Sequence, residues 1–282
     1  MTNKRSKTQL VVRGAQLIAG ALRASLLLLL EAPVRPIWFA YRLRGYLDRY
    51  VLNGYHKSRV AEYEAHTRSY YEAISYVTQR DERRIRSING DGHDGGAGAL
   101  ESFENDGQSP IPGRYDGTPE LTSTIYLFCK LLKPAVVIET GVARGVTSRT
   151  ILNALQENGT GHLYSVELPA LLWGYRAHVG EMVPEDLRDR WSLRFGPSRR
   201  VLSGLLQDLG QIDIFIHDAA HSYHPQKAEY ELALAHLSPA GILISDDVSN
   251  DAFVEVAEDH GCRWSIIQQP KANPIGLLVK SP

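Results

Sequence analysis

Several short segments of this 282-residue chain carry groups suited to holding a small polar ligand. Glu139-Thr140-Gly141-Val142-Ala143-Arg144-Gly145 sets an acid two residues before a glycine and a second glycine four residues further on. Such spacing lets the backbone turn tightly and come close to a ligand. It also leaves the amides of a following helix facing a polar group. Glu167 lies 28 residues beyond Glu139, and a carboxylate there can accept hydrogen bonds from two vicinal hydroxyls. Gly196-Pro197-Ser198 offers a sharp turn and a hydroxyl to cap the helix after it. Asp218-Ala-Ala-His221-Ser-Tyr-His224 and Asp246-Asp247 add three carboxylates and two imidazoles. Clustered carboxylates repel one another unless a cation or a proton intervenes. Hard oxygen donors on adjacent loops suit Mg²⁺ or a similar divalent ion.

Each of these segments follows an apolar stretch that reads as a strand. Ala135–Glu139, His162–Glu167, Trp191–Phe195, Ile212–Asp218 and Gly241–Asp247 are short and rich in β-branched or aromatic residues. Helical segments separate them, with a start at Thr118-Pro119 running to Leu132 and a second helix over Thr147–Glu157. Arg263–Gln268 and Ile275–Val279, split by Pro270 and Pro274, are expected as an antiparallel, hairpin-like edge. Strands alternating with helices predict an α/β fold with a parallel sheet covered on both faces. Ligands bind outside the carboxyl ends of such strands, near the point where strand order reverses.

The order ETGxxxG, SVE, GPS, IDIFIHDAAHSYH and LxPxGILISDD resembles the class I S-adenosylmethionine-dependent methyltransferases, in particular the macrocin-type O-methyltransferases and cephalosporin-hydroxylase-like proteins. The likeness covers 119–282, with Ala240 where that group carries glycine. It implies a Rossmann-like, doubly wound, mostly parallel seven-stranded sheet. It also implies a cofactor site at Glu139, Thr140, Gly141, Val142, Gly145, Glu167, Pro197, Ser198 and Asp218. A cationic sulfonium ligand suits an acid at Glu139. By the same likeness Asp218, Asp246 and Asp247 would hold Mg²⁺, which lowers the pKa of an acceptor hydroxyl and orients it. Some members place a second acid where this chain has Ala220, so the general base is left to His221 or His224, with His221 and Asp218 as the expected catalytic pair. The implied reaction is methyl transfer to the hydroxyl of a small-molecule, sugar or lipid-linked acceptor. The absence of GxGxxG counts against a nucleotide-dependent oxidoreductase. The remaining alternative is a non-catalytic, methyltransferase-like scaffold that works through its N-terminal arm.

That arm is distinct in charge. Residues 1–60 hold 11 basic and two acidic side chains, Glu31 and Asp48, within a chain whose formal net charge is -1. The segment is therefore +9 and the rest -10, so an anionic partner is expected. Leucines and aromatics among the arginines favour lipid over nucleic acid. The run Leu17–Leu30 is too short to span a bilayer as a helix. Residues 8–50 are open to three readings: a helix in the membrane interface, an arm packed on the protein or on a second subunit of a homodimer, and a cleaved signal. Residues 8–31 and 36–85 read as helical. The expected organisation is a helical, basic arm over 1–87, a glycine- and proline-rich linker or lid over 88–118, and the methyltransferase-like domain over 119–282. Cys129 and Cys262 form no CxxC pair and are expected as free thiols in a reducing compartment. A cytoplasmic protein, free or membrane-associated, is expected.

Overall fold

The computed structural model describes residues 32–52, 54–89, 109–169, 175–270 and 272–280. The helix expected over 8–31, the Leu17–Leu30 run and most of the glycine-rich stretch lie outside the described residues.

An eight-stranded sheet forms the centre. In chain order its strands are β1 (Thr67–Arg68), β2 (Val136–Thr140), β3 (His162–Glu167), β4 (Trp191–Phe195), β5 (Ile212–His217), β6 (Leu237–Ser245), β7 (Arg263–Ile267) and β8 (Ile275–Val279). Their spatial order is β1-β7-β8-β6-β5-β2-β3-β4. Successive strands run outward from β2 through β3 to β4, and then β5 starts on the other side of β2. The order therefore reverses between β2 and β5, the expected place for a ligand crevice. All pairings are parallel except those of β8, which lies antiparallel between β6 and β7. The closing strands are thus antiparallel as expected but interior, and β1 forms that edge of the sheet.

Helices cover both faces. Buried residues of α3 (Tyr70–Thr78), α4 (Glu82–Asn89), α5 (Pro119–Leu132) and α6 (Val146–Asn158) form one core layer. Those of α8 (Ser198–Leu209), α9 (Tyr223–His236) and α10 (Ala252–Asp259) form the other. A short α7 spans Tyr175–His178. The helix start at Thr118 is as expected: its side chain accepts the Leu121 amide and Pro119 fills the first turn. Cys129 and Cys262 are free.

The N-terminal half departs from one continuous helix over 36–85. It breaks into α1 (Pro36–Tyr50), α2 (Val60–Ala65), α3 and α4. Thr67 and Arg68 between α2 and α3 pair with Ile266 and Ile267, adding an eighth strand to the expected seven. Tertiary contacts outweigh local helical period here. Asp251 accepts the Ser58 and Arg59 amides, Tyr63 donates to the Asn250 carbonyl, and Trp264 stacks on His66. Ala73, Ile74, Val77 and Ile85 are fully buried against the sheet, so residues 60–88 share the domain's core. Among the described residues no helix is long and apolar enough to cross a membrane.

Candidate active site

Backbone hydrogen bonds stitch the loops after consecutive strands into one row. The Gly196 amide donates to Glu167, Gly141 to Val166, Asp218 to Thr140 and Asp246 to His217, each at 2.9 Å. Parallel pairing forces this, because every strand ends on the same edge. All the segments singled out by their side chains therefore converge.

Gly141 has φ +84°, and a Cβ there would lie 1.8 Å from the Asp218 carbonyl oxygen. Gly145 has φ +91°, and its Cβ would meet the Gly180 backbone at 2.8 Å. Both glycines accommodate the close approach of neighbouring protein backbone. Gly145 also starts α6. The strap before α5 closes on this loop: Ile111 is buried against Val142, and Asp116 pairs with Arg144 at 2.5 Å.

Glu167 reaches the same loop. Its Oε2 accepts the amides of Val142 at 2.7 Å and Ala143 at 3.1 Å. Glu139 lies beneath, fully buried, with Oε2 accepting from Ser148 and Ser165 and Oε1 without a partner among the described residues. Burial pushes its carboxyl up to about 7; the two serine hydrogen bonds oppose the shift and the Glu167 charge adds to it. A buried acid with one oxygen unpartnered, beneath a loop whose Gly141, Val142, Ala143 and Gly145 amides are already taken by Glu167 and by backbone carbonyls, fits a cationic ligand group better than a phosphate.

Asp218, His221 and Asp246 form the second part. One ligand atom from each lies within 4.8 Å of the others. His221 Nε2 is 3.7 Å from Asp218 Oδ1 and 3.9 Å from Asp247 Oδ2. Burial raises the Asp218 carboxyl, and the charges of Asp246 and Glu139 raise it further. Burial and Asp247 push Asp246 up to about 7. Burial, His217 and Arg49 hold His221 down to about 3. His221 is therefore neutral at neutral pH, with Nδ1 unpartnered among the described residues. This three-donor set contains His221, and Asp247, implied as a ligand by the family likeness, lies beside it. Asp247 turns into the left-handed region (φ 49°) beside it. Gln269, after β7, donates to Asp246, and Asn250 donates to the His221 carbonyl, bracing that loop.

Two expectations need correction. Ser198 does not cap α8: it is the first helical residue, Pro197 is the cap position, and no side chain caps there. Its buried hydroxyl instead bonds Glu229 and the Tyr41 hydroxyl. His224 is half exposed and bonded to Asp48 of α1 at 2.5 Å, so it ties down α1. Sequence reasoning missed Glu229, whose fully buried carboxylate bonds Thr140, Ser198 and His217. The available signal was an acid on the buried stripe Gln226-Tyr230-Ala233 of α9. It also missed α1 as a neighbour of the site. Arg42 of α1 donates to the Leu168 and Pro169 carbonyls after β3. A cavity of about 560 Å³ separates the start of α1 from the β4–α8 turn, with Trp38, Phe195 and Pro197 in its wall.

Residues 138–248 match the family described as a methyltransferase domain. No curated protein matches the chain. Among solved structures, the O-methyltransferase from Bacillus cereus in complex with SAH is 15% identical with a TM-score of 0.52, over 70% of this chain and 96% of that one. A candidate O-methyltransferase from Klebsiella pneumoniae is 19% identical with a TM-score of 0.51, over 74% of this chain and 100% of that one. At such identities these structures show a shared fold. The matched segment spans the glycine loop, Glu167, Ser198, Asp218, His221 and the Asp246-Asp247 pair, on the sheet that aligns their loops: residues 138–248 match a methyltransferase domain, set on a Rossmann-like fold shared with these structures.

Proposed function

We propose that the domain transfers the methyl group to a hydroxyl oxygen of a small-molecule, sugar or lipid-linked acceptor, assisted by a divalent cation such as Mg²⁺. The observation that carries this reading is the Asp218–His221–Asp246 cluster, one backbone hydrogen bond from the glycine loop. The Bacillus cereus neighbour was solved with SAH, which supports a cofactor held along the loop Glu139–Gly145, with Glu167 toward its ribose, Pro197 and Ser198 beside its adenine, and Asp218 at its reactive end. Thr140, Gly141 and Val142 shape that loop.

The donor set fits a cation. Two carboxylates raised by burial and mutual repulsion, next to a neutral imidazole, gain when a positive charge is placed between them. A bound divalent ion supplies Lewis-acid activation of the acceptor hydroxyl. Asp218 and His221 orient that hydroxyl: Asp218 because its backbone is fixed against Gly141, His221 because Asn250 fixes its loop. His221 held neutral offers a lone pair to the hydroxyl proton or to a cation.

Binding of Mn²⁺, followed by its electron-spin signal in the full-length protein, tests the cation. The expected result is saturable binding that weakens by at least about tenfold, roughly 1.4 kcal/mol, in Asp246→Asn. Equal binding by wild type and Asp246→Asn removes the cation from the reading. Oxygen transfer is tested with labelled S-adenosylmethionine and a panel of polyhydroxy phenols, sugars and lipids: label should appear as O-methyl product and fall on chelation. Label on nitrogen, carbon or sulfur alone would contradict it.

A further inference from the structure

Helix α1 is amphipathic in the reverse sense for a helix lying on a globular domain. Three of its polar side chains face the protein: Tyr41 bonds Ser198, Arg42 donates to Leu168 and Pro169, and Asp48 bonds His224. Its aliphatic side chains face out. Ile37 is 51% exposed, Leu43 36%, Leu47 42% and Val51, just past its end, 66%. At 100° per residue these positions, with Ala40 and Arg44, fall on one side. Neighbouring Val34 and Leu52 are exposed too. A contiguous outward apolar strip marks an interaction surface.

Charge identifies its occupant. Arg44 sits within the strip and is exposed. The cavity of about 560 Å³ at the start of α1 is lined by Arg35, Arg194 and Arg200 beside Trp38 and Phe195. The only acid on α1, Asp48, is buried. Residues 1–60 as a whole are +9, and the Leu17–Leu30 run precedes α1 in the sequence. Aliphatic side chains with one guanidinium among them and three beside the start of the helix, without an exposed acid on the helix, match an anionic lipid surface. A two-fold contact between copies would bring the same guanidinium-bearing face, with no exposed acid on the helix, against itself.

We propose that the outward face of α1 docks the protein on an anionic bilayer, with Ile37, Leu43, Leu47 and Val51 entering the interface and Arg35, Arg194 and Arg200 taking lipid phosphate. Because the inward face of α1 contacts the loops after β3 and β4, docking sets the mouth of the cofactor crevice at the membrane surface. The docking claim rests on α1 and the arginines beside its start, and not on the reading of the acid cluster.

The test is flotation of the full-length protein with vesicles of equal parts phosphatidylcholine and phosphatidylglycerol, and with pure phosphatidylcholine. Wild type should float with the mixed vesicles and partition about tenfold less into the neutral ones. The triple variant Ile37→Ser, Leu43→Ser, Leu47→Ser should lose about tenfold in partition to the mixed vesicles while keeping the thermal midpoint of wild type. Arg44→Glu, a single change at an exposed position, should weaken flotation in the same direction. Wild type that stays with the buffer overturns the proposal. So does a triple variant that floats like wild type, which would place membrane binding elsewhere in the chain. A dimer that the triple variant converts to monomer, with no flotation by either, overturns it in favour of a second copy.

Discussion

Glu139 shows how burial shapes this site. Its carboxyl, two residues before Gly141, is fully buried, with one oxygen unpartnered among the described residues. The folded-state pKa of about 7 stands above the ordinary 4.5. An acid raised in this way favours the folded state in its protonated form, fully below the unfolded value, and the advantage is lost as pH rises through about 7. The shift corresponds to about 3 kcal/mol between the two limits. The thermal midpoint of the ligand-free protein should therefore fall more steeply from pH 5 to 8 in wild type than in Glu139→Gln. Parallel curves would show that Glu139 does not ionise in that range. The position of Glu139 was legible from the spacing of acid and glycine, and that of Glu167 from its place at a strand end. What they bond was not, because residue type fixes neither the rotamer nor the neighbour. The hydroxyl of Ser198 illustrates this: a serine after Gly196-Pro197 reads as a cap, but Glu229, brought in by α9, takes it instead.

At the scale of elements, Glu229 of α9 ties together the ends of three strands and helix α1. Its carboxylate joins Thr140 at the end of β2, Ser198 after β4 and His217 at the end of β5, and Ser198 carries the chain on to Tyr41. Burial would raise this carboxyl, but His217 and the two hydroxyls outweigh it and hold it below the ordinary range. Glu229→Gln puts a donor where three donors already point, leaving buried groups unpaired. We expect a loss of about 2–3 kcal/mol, read as a lower urea midpoint with unchanged slope. A change under about 0.5 kcal/mol would mean that the network contributes nothing net. The strands β2 to β8 were legible because each is a short, β-branched or aromatic run bounded by Gly, Pro or Asp. Breaks between α1 and α4 were not, since tyrosines and charged residues keep the helical period through Thr67 and Arg68. Only the contact of those two residues with β7 makes them a strand. The Asp116–Arg144 pair, almost fully buried, is an analogous long-range tie. Arg144→Met leaves Asp116 unpaired against the glycine loop, and the same urea measurement should show a loss of about 3 kcal/mol.

Across the whole molecule, strand order gathers the chemistry. The reversal between β2 and β5 places the glycine loop beside the Asp218 loop, and β3 and β6 add Glu167 and the Asp246-Asp247 pair on either side. Charge asymmetry along the chain was legible as composition; the reversed amphipathicity of α1 was not, because only the fold decides which face meets protein. The central claim is that the loop Glu139–Gly145 and Glu167 together make one cofactor crevice. Calorimetric titration of S-adenosylmethionine into full-length wild type and Glu167→Ala addresses it most directly. One saturable site in wild type, weakened by about tenfold or more in a variant with an unchanged unfolding midpoint, is the predicted result. Absence of binding to the folded wild type, or equal affinity in the two proteins, would contradict it.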